Sequence, residues 1–122
     1  MQTTNTGFTV TRSIAMNSEV AGAVIGTKGH LLGKIIKLKD KQVLVFGRDA
    51  SQCDVLVKGE KVSRVHCSIR YDAKKNEYIV RDCSTNGVVV NQKYKLKKDA
   101  DVRVTAGSTV WLGNSENEIT LG

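Results

Sequence analysis

The chain has 122 residues, 40% hydrophobic and 25% charged, enough for one domain around a single core. No run approaches the roughly 20 apolar residues that a spanning helix needs, and Glu19 interrupts the segment after Arg12 before a secretory pattern can form. A cytoplasmic protein, or a cytoplasmic piece of a longer one, is therefore expected, and the net charge of +7 favours an anionic partner.

Residues 1–17, MQTTNTGFTVTRSIAMN, are threonine-rich and weakly periodic, and read as a flexible arm or linker before a domain at 18–122. From there the pattern changes to short apolar runs rich in β-branched residues. In chain order the candidate strands are AGAVIG, GKIIKL, QVLVFG, CDVLV, HCSIRY, EYIVRD, GVVVN, YKL, DVRV, STVWLG and NEITLG. Turn signals such as TKG, RDASQ, DAKKN, STNG and GNSEN separate them, and no stretch holds an apolar stripe at helical spacing for more than two turns. The chain is therefore expected to be all-β, a sandwich or barrel. Lysines gather at Lys34, Lys37, Lys39 and Lys41 and again at Lys93, Lys95, Lys97 and Lys98; interleaved with apolar residues, many read as outward strand positions.

Three cysteines, Cys53, Cys67 and Cys83, are odd in number and widely spaced without any CxxC. They support neither a structural zinc site nor a disulfide framework and read as free thiols, mostly buried. No metal or cofactor is expected.

Three segments compete to carry function. Gly26-Thr27-Lys28-Gly29 is similar to the GxxG loop of KH domains, which clamp single-stranded RNA, and the positive charge suits that reading. A helix must follow such a loop, yet Gly33 sits in the middle of it at a cost of about 1 kcal/mol, and GKIIKLKDKQVLVFG reads as two strands. A glycine turn between strands is the simpler account. A Walker A loop fails on spacing, because Gly33-Lys34 is followed by isoleucine. In GEKVSRVHCSIR, Ser63 lies three residues before His66, but no GxSxG surrounds the serine and no orienting acid is evident, so no catalytic residue is expected.

The same stretch makes better sense as an anion grip. FGRDASQCDVLV ends a strand on Gly47-Arg48, SRVH supplies Ser63 and Arg64, and RDCSTNGVVVN supplies Thr85 and Asn86 in a tight turn. If the three loops meet at one end of a sandwich, they form a donor-rich pocket on a rigid scaffold.

The ordered set GR, SRVH, DCSTNG and VN resembles the forkhead-associated (FHA) family, across residues 20–121. The resemblance implies an FHA-type β-sandwich of eleven strands whose loops at one end bind phosphothreonine peptides, without catalysis. By its roles Arg48 would hold a phosphate oxygen, Ser63 would donate its hydroxyl to another, and Arg64 would add a contact. Thr85 would border the phosphothreonine, and Asn86 would bond the peptide backbone. His66 would support the loops from behind, Gly47 and Gly87 would permit the turns, and Asn91 would tie loops together. Lys61 would choose the residue three after the phosphothreonine and favour an acidic one. The family's usual threonine after Asn-Gly is here Val88, and its second Asn-Gly is here Asn91-Gln92, a hairpin without its easy positive-φ residue. The partners implied are phosphothreonine-containing proteins and an upstream serine/threonine kinase, with no nucleic acid and no membrane. The alternatives are a degenerate FHA scaffold that binds unphosphorylated protein, and KH-like RNA binding through residues 26–29. Thr3, Thr4, Thr6, Thr9 and Thr11 raise a further expectation, that a phosphorylated arm folds back into its own pocket.

Overall fold

The computed structural model describes residues 21–122. Every candidate strand forms. They are β1 (Gly22–Lys28), β2 (Ile35–Leu38), β3 (Val43–Gly47), β4 (Val55–Leu56), β5 (Cys67–Asp72), β6 (Glu77–Asp82), β7 (Val88–Val90), β8 (Tyr94–Lys95), β9 (Asp101–Thr105), β10 (Thr109–Leu112) and β11 (Glu118–Leu121). They build a five-stranded sheet in the order β9-β6-β5-β3-β4 and a six-stranded sheet in the order β2-β1-β11-β10-β7-β8. All pairings are antiparallel except β3 with β4.

Alternation explains the sandwich. Along β5, Cys67, Ile69 and Tyr71 are buried while Ser68, Arg70 and Asp72 face outward; β1 alternates in the same way, with Val24 fully buried. Phe46, Ile69, Val80, Val110, Leu112 and Leu121 fill the space between the sheets. At one end the Tyr71 and Tyr78 rings pack at 5.0 Å, and the Tyr78 hydroxyl accepts the Ala23 amide at 2.8 Å, anchoring β1 across the sandwich.

The GxxG segment does not form the RNA-clamping unit. Gly26 lies within β1, where its register partner is Ile119, and Gly29–Leu31 is a single 3-10 turn, followed by β2 rather than a helix. That turn folds back onto the strand so tightly that a Cβ on Gly26 would lie 1.7 Å from the Leu31 carbonyl oxygen. Glycine is needed there for packing. The eight clustered lysines are all exposed, but only Lys37 and Lys95 stand on strands and the rest sit in turns and connections, because β2 and β8 are shorter than their apolar runs suggest. The hairpin after β7 has Asn91 at φ 53° and Gln92 at φ 61°, so Gln92 adopts the left-handed conformation without being glycine. The proposed arm at residues 1–17 and its threonines lie outside the described residues.

Candidate functional site

Three connections converge at one end of the sandwich: β3 to β4 (residues 48–54), β4 to β5 (57–66) and β6 to β7 (83–87). Backbone hydrogen bonds knit the first two. Arg48 N–H donates to the Ser63 carbonyl at 3.1 Å, Asp49 N–H to Arg64 at 3.2 Å, and His66 N–H to Phe46 at 2.8 Å. Gly47 makes this approach possible, since a Cβ there would lie 2.2 Å from the Arg64 carbonyl oxygen.

His66 locks the third loop to the second. It is 0% exposed; its Nδ1 accepts the Ser63 amide at 3.0 Å and its Nε2 lies 2.8 Å from the Gly87 carbonyl. These partners require the neutral ring, with the proton on Nε2. Burial pushes its pKa below the ordinary histidine value, against the raising effect of the Gly87 carbonyl and of Asp82. Both ring nitrogens are thus engaged with backbone, and neither is aimed at the Ser63 hydroxyl as a base would be.

The turn at Asp82–Gly87 is built on a buried relay. Asp82 Oδ1 accepts the Ser84 amide at 2.8 Å and the Ser84 hydroxyl at 2.6 Å, and Ser84 Oγ in turn accepts the Gly87 amide at 2.7 Å. Gly87 itself sits at φ 101°, a conformation that suits only glycine well. With the turn fixed, Thr85 N–H donates to Ser63 Oγ at 3.0 Å and Asn86 Nδ2 to the Lys61 carbonyl at 3.2 Å.

The result is an open groove of about 430 Å³ lined by Arg48, Gln52, Ser63, Arg64, Cys83 and Thr85, with Val65. Its chemistry is that of a donor site. Ser63 Oγ is already an acceptor for Thr85, which leaves the hydroxyl proton to be given outward. Arg48 spends its Nε on the Val62 carbonyl at 2.9 Å, which orients the guanidinium and leaves its terminal nitrogens to the groove. Among the described residues no carboxylate lies within 4.0 Å of Arg48, Lys61, Arg64 or Lys95. The adjacent Asp49 is occupied elsewhere: bonds from the Gln52 side chain at 2.6 Å and from Ser51 hold its pKa down at about 2. Burial raises the thiol of Cys83 above the ordinary range, so that wall of the groove is neutral at pH 7. Cys67 is fully buried in the core, and no group of three His, Cys, Asp or Glu side chains among the described residues could hold a metal ion.

Arg48, Ser63, Arg64, Thr85 and Asn86 are thus brought together, with Lys61 beside Asn86 and Gly47, His66 and Gly87 beneath them. Asn91 is not among them. It lies at the other end of β7, where its Oδ1 accepts the Thr109 amide at 3.0 Å and its Nδ2 reaches Ser108 Oγ at 3.3 Å. It ties the β7–β8 hairpin to the β9–β10 turn. A fourth loop, residues 113–117, is legible in the sequence as the turn GNSEN but not as part of the site. Gly113, at φ 89°, donates to the Gly87 carbonyl at 2.9 Å and leaves no room for a Cβ against Lys61. Asn117, 6% exposed, accepts the His30 amide at 3.0 Å and donates to the Lys58 carbonyl at 3.1 Å, clamping the segment that leads to Ser63. Only an isolated NSEN turn marks these residues in the sequence, with nothing to show which loop they meet.

A two-sheet sandwich whose loops at one end make a donor-rich, cation-lined groove is the architecture of a binding module. A family model described as the FHA domain matches residues 44–113, and the chain belongs to that family. No curated protein matches it in sequence. Its fold is similar to the FHA domain of an Arabidopsis thaliana hypothetical protein (TM-score 0.75, 20% identity, covering 88% of this chain and 92% of that one). It is similar also to the FHA domain of the CT664 protein from Chlamydia trachomatis (TM-score 0.70, 21% identity, 84% and 96%). A third relative in fold is the N-terminal FHA domain of S. cerevisiae Rad53p, solved in complex with a phosphothreonine peptide (TM-score 0.64, 22% identity, 84% and 90%). No helix among the described residues is long and apolar enough to cross a membrane.

Proposed function

We propose that this protein is a phosphothreonine-peptide recognition module that mediates phosphorylation-dependent protein–protein interaction downstream of a serine/threonine kinase. One observation carries the reading: two separate loops bring Arg48, Ser63 and Arg64 to line one groove, and among the described residues no carboxylate lies within 4.0 Å of either arginine. A phosphothreonine brings about −1.5 to −2 charges and three acceptor oxygens, which matches that set of donors. In this reading Arg48 and Ser63 hold phosphate oxygens, Arg64 adds a contact, Thr85 borders the phosphorylated residue and Asn86 bonds the peptide backbone. Asn86 is suited to that task because it is exposed and its own amide is steadied by the Lys61 carbonyl. The domain spans residues 18–122, with the preceding arm as a tether. The Val88 and Gln92 departures leave these donors untouched: Val88 is fully buried beneath the loop, and Gln92 lies beyond β7.

Calorimetric titration with a degenerate phosphothreonine peptide pool and its unphosphorylated twin tests the reading. Binding is expected only for the phosphorylated pool. Arg48→Ala, with the fold intact by circular dichroism, is expected to weaken it about 10- to 100-fold, the size of one lost hydrogen bond to a charged group. Equal binding of both pools would instead indicate a scaffold that recognises unphosphorylated protein.

A further inference from the structure

Lys95 stands on β8, outside the three converging loops, yet its side chain ends against the Gly87 turn that closes the third of them. Register pairs it with Val89, two residues beyond Gly87, and its stem runs back along β7 toward the turn. A Cβ built on Gly87 would lie 2.8 Å from Lys95 Cε and 3.5 Å from its Nζ. The ammonium group therefore rests against the Gly87 backbone, one residue from Asn86, in space that only a glycine leaves open. Lys61 meets Asn86 by a different route, through its carbonyl at 3.2 Å. Asn86 thus neighbours two lysines from separate elements, Lys95 by its side chain and Lys61 by its main chain, and neither has a carboxylate within 4.0 Å among the described residues.

We infer that Lys95 is a specificity-determining residue that selects ligands carrying an acidic side chain near the phosphothreonine, at a position other than the one Lys61 would read. The inference rests on the phosphopeptide reading and deepens it. A peptide bonded to Asn86 by its backbone passes the Lys95 ammonium, which rests beside the neighbouring Gly87. An extended chain advances about 3.3 Å per residue, so the side chain opposite Lys95 on β8 and the one opposite the β4–β5 connection that carries Lys61 fall at different positions. An acidic residue opposite Lys95 gains an ion pair on binding, and Lys95 breaks no pair to make it. A lysine serving only to cover Gly87 would need its methylene stem and not its charge.

Lys95→Met separates the two roles, because it keeps an unbranched apolar stem and removes the ammonium. The full chain would be titrated with one phosphothreonine peptide of neutral flanks and a set in which glutamate is placed singly at each of three positions on either side. Wild type, Lys95→Met and Lys61→Met would each be measured at low and high salt. The ratio of glutamate to neutral affinity is the readout. We expect one position where glutamate strengthens wild-type binding about threefold, as for a partly exposed ion pair. That gain is lost in Lys95→Met, kept in Lys61→Met and diminished at high salt. A glutamate profile identical in wild type and Lys95→Met would overturn the inference while leaving phosphopeptide recognition standing. Absence of any phosphate-dependent binding, unaltered by Arg48→Ala, would overturn both.

Discussion

Arginines meet two fates in this molecule. On the outer face of the five-stranded sheet, Arg81 pairs with Asp101 at 3.1 Å, and Arg103 reaches both Asp72 at 3.0 Å and Glu77 at 3.2 Å. At the loop end, Arg48 and Arg64 have no carboxylate within 4.0 Å among the described residues, and Asp49, which follows Arg48, is bonded to Ser51 and Gln52 and feels Arg64 only at longer range. Size does not distinguish the regions. A hollow on the sheet face between Lys41, Arg70, Asp72 and Arg103, about 470 Å³, is slightly larger than the loop groove of about 430 Å³. Its lining holds both signs of charge, whereas the loop groove holds only cations and neutral donors. Net charge describes a solvated surface until cations gather without counter-ions on a fixed frame; there it describes a site.

The frame is the second half of the contrast. Beneath the groove lie His66, Ser84, Asp82 and Asn117, all buried and all hydrogen-bonded, while the sheet-face ion pairs are at the surface. His66→Ala should have the largest effect. It opens a cavity and strips the Ser63 amide of its acceptor in a dry environment, so a loss of about 3 kcal/mol is expected in urea unfolding. Phosphopeptide binding should fall with it, because Ser63 and the Gly87 turn lose their common tie. A variant that kept wild-type stability would mean that the frame does not depend on this histidine.

The same residue predicts a pH dependence. In the fold the ring is neutral and its pKa lies below the ordinary value near 6.5, which the unfolded chain retains. Above that value neither state is protonated and the stability is fully present. As pH falls through it, the unfolded chain takes up a proton that the folded ring resists, so stability drops by at most about 1.4 kcal/mol per pH unit until the folded pKa is reached. Asp49 contributes only nearer its own range, as pH falls below the ordinary carboxylate value toward about 2. A stability profile taken from pH 7 to pH 5 should therefore slope downward in the wild type and flatten in His66→Ala. Equal slopes would assign the titration to another group.

Most of the fold and the groove-facing residues could be read in advance, for a definite reason. Short strands carry their burial in the chain itself: CSIRYD alternates strictly, and the apolar run Tyr78-Ile79-Val80 of EYIVRD is buried throughout. Arg48, Ser63 and Thr85 fall within short motifs at strand ends. What stayed hidden is long-range. Asn117 matters because it touches Lys58, 59 residues earlier, and Gly113 because Lys61 lies against it. Lys95 belonged to a lysine cluster that reads as solvated surface, and only the missing side chain of Gly87 reveals where its ammonium goes. Asn91 has the same limit: its motif reads as a loop tie, and only strand direction places that tie at the end of β7 opposite the Gly87 turn.

The smallest expected effect tests the comparison most directly. Arg103→Ala removes a cation as large as Arg48 and breaks two short contacts, so a count of ion pairs would assign it weight. Its side chain is 48% exposed, and water and salt replace such partners at little cost. Its removal should leave the melting temperature nearly unchanged and should not alter phosphopeptide affinity beyond about twofold. Measured beside Arg48→Ala, in the same buffer and with the same peptide, it asks whether location or charge alone governs binding. If the two variants weakened binding alike, the loop groove would be one part of a diffuse positive surface. If only Arg48→Ala did so, the cations without counter-ions would be the site, and the paired arginines would be surface.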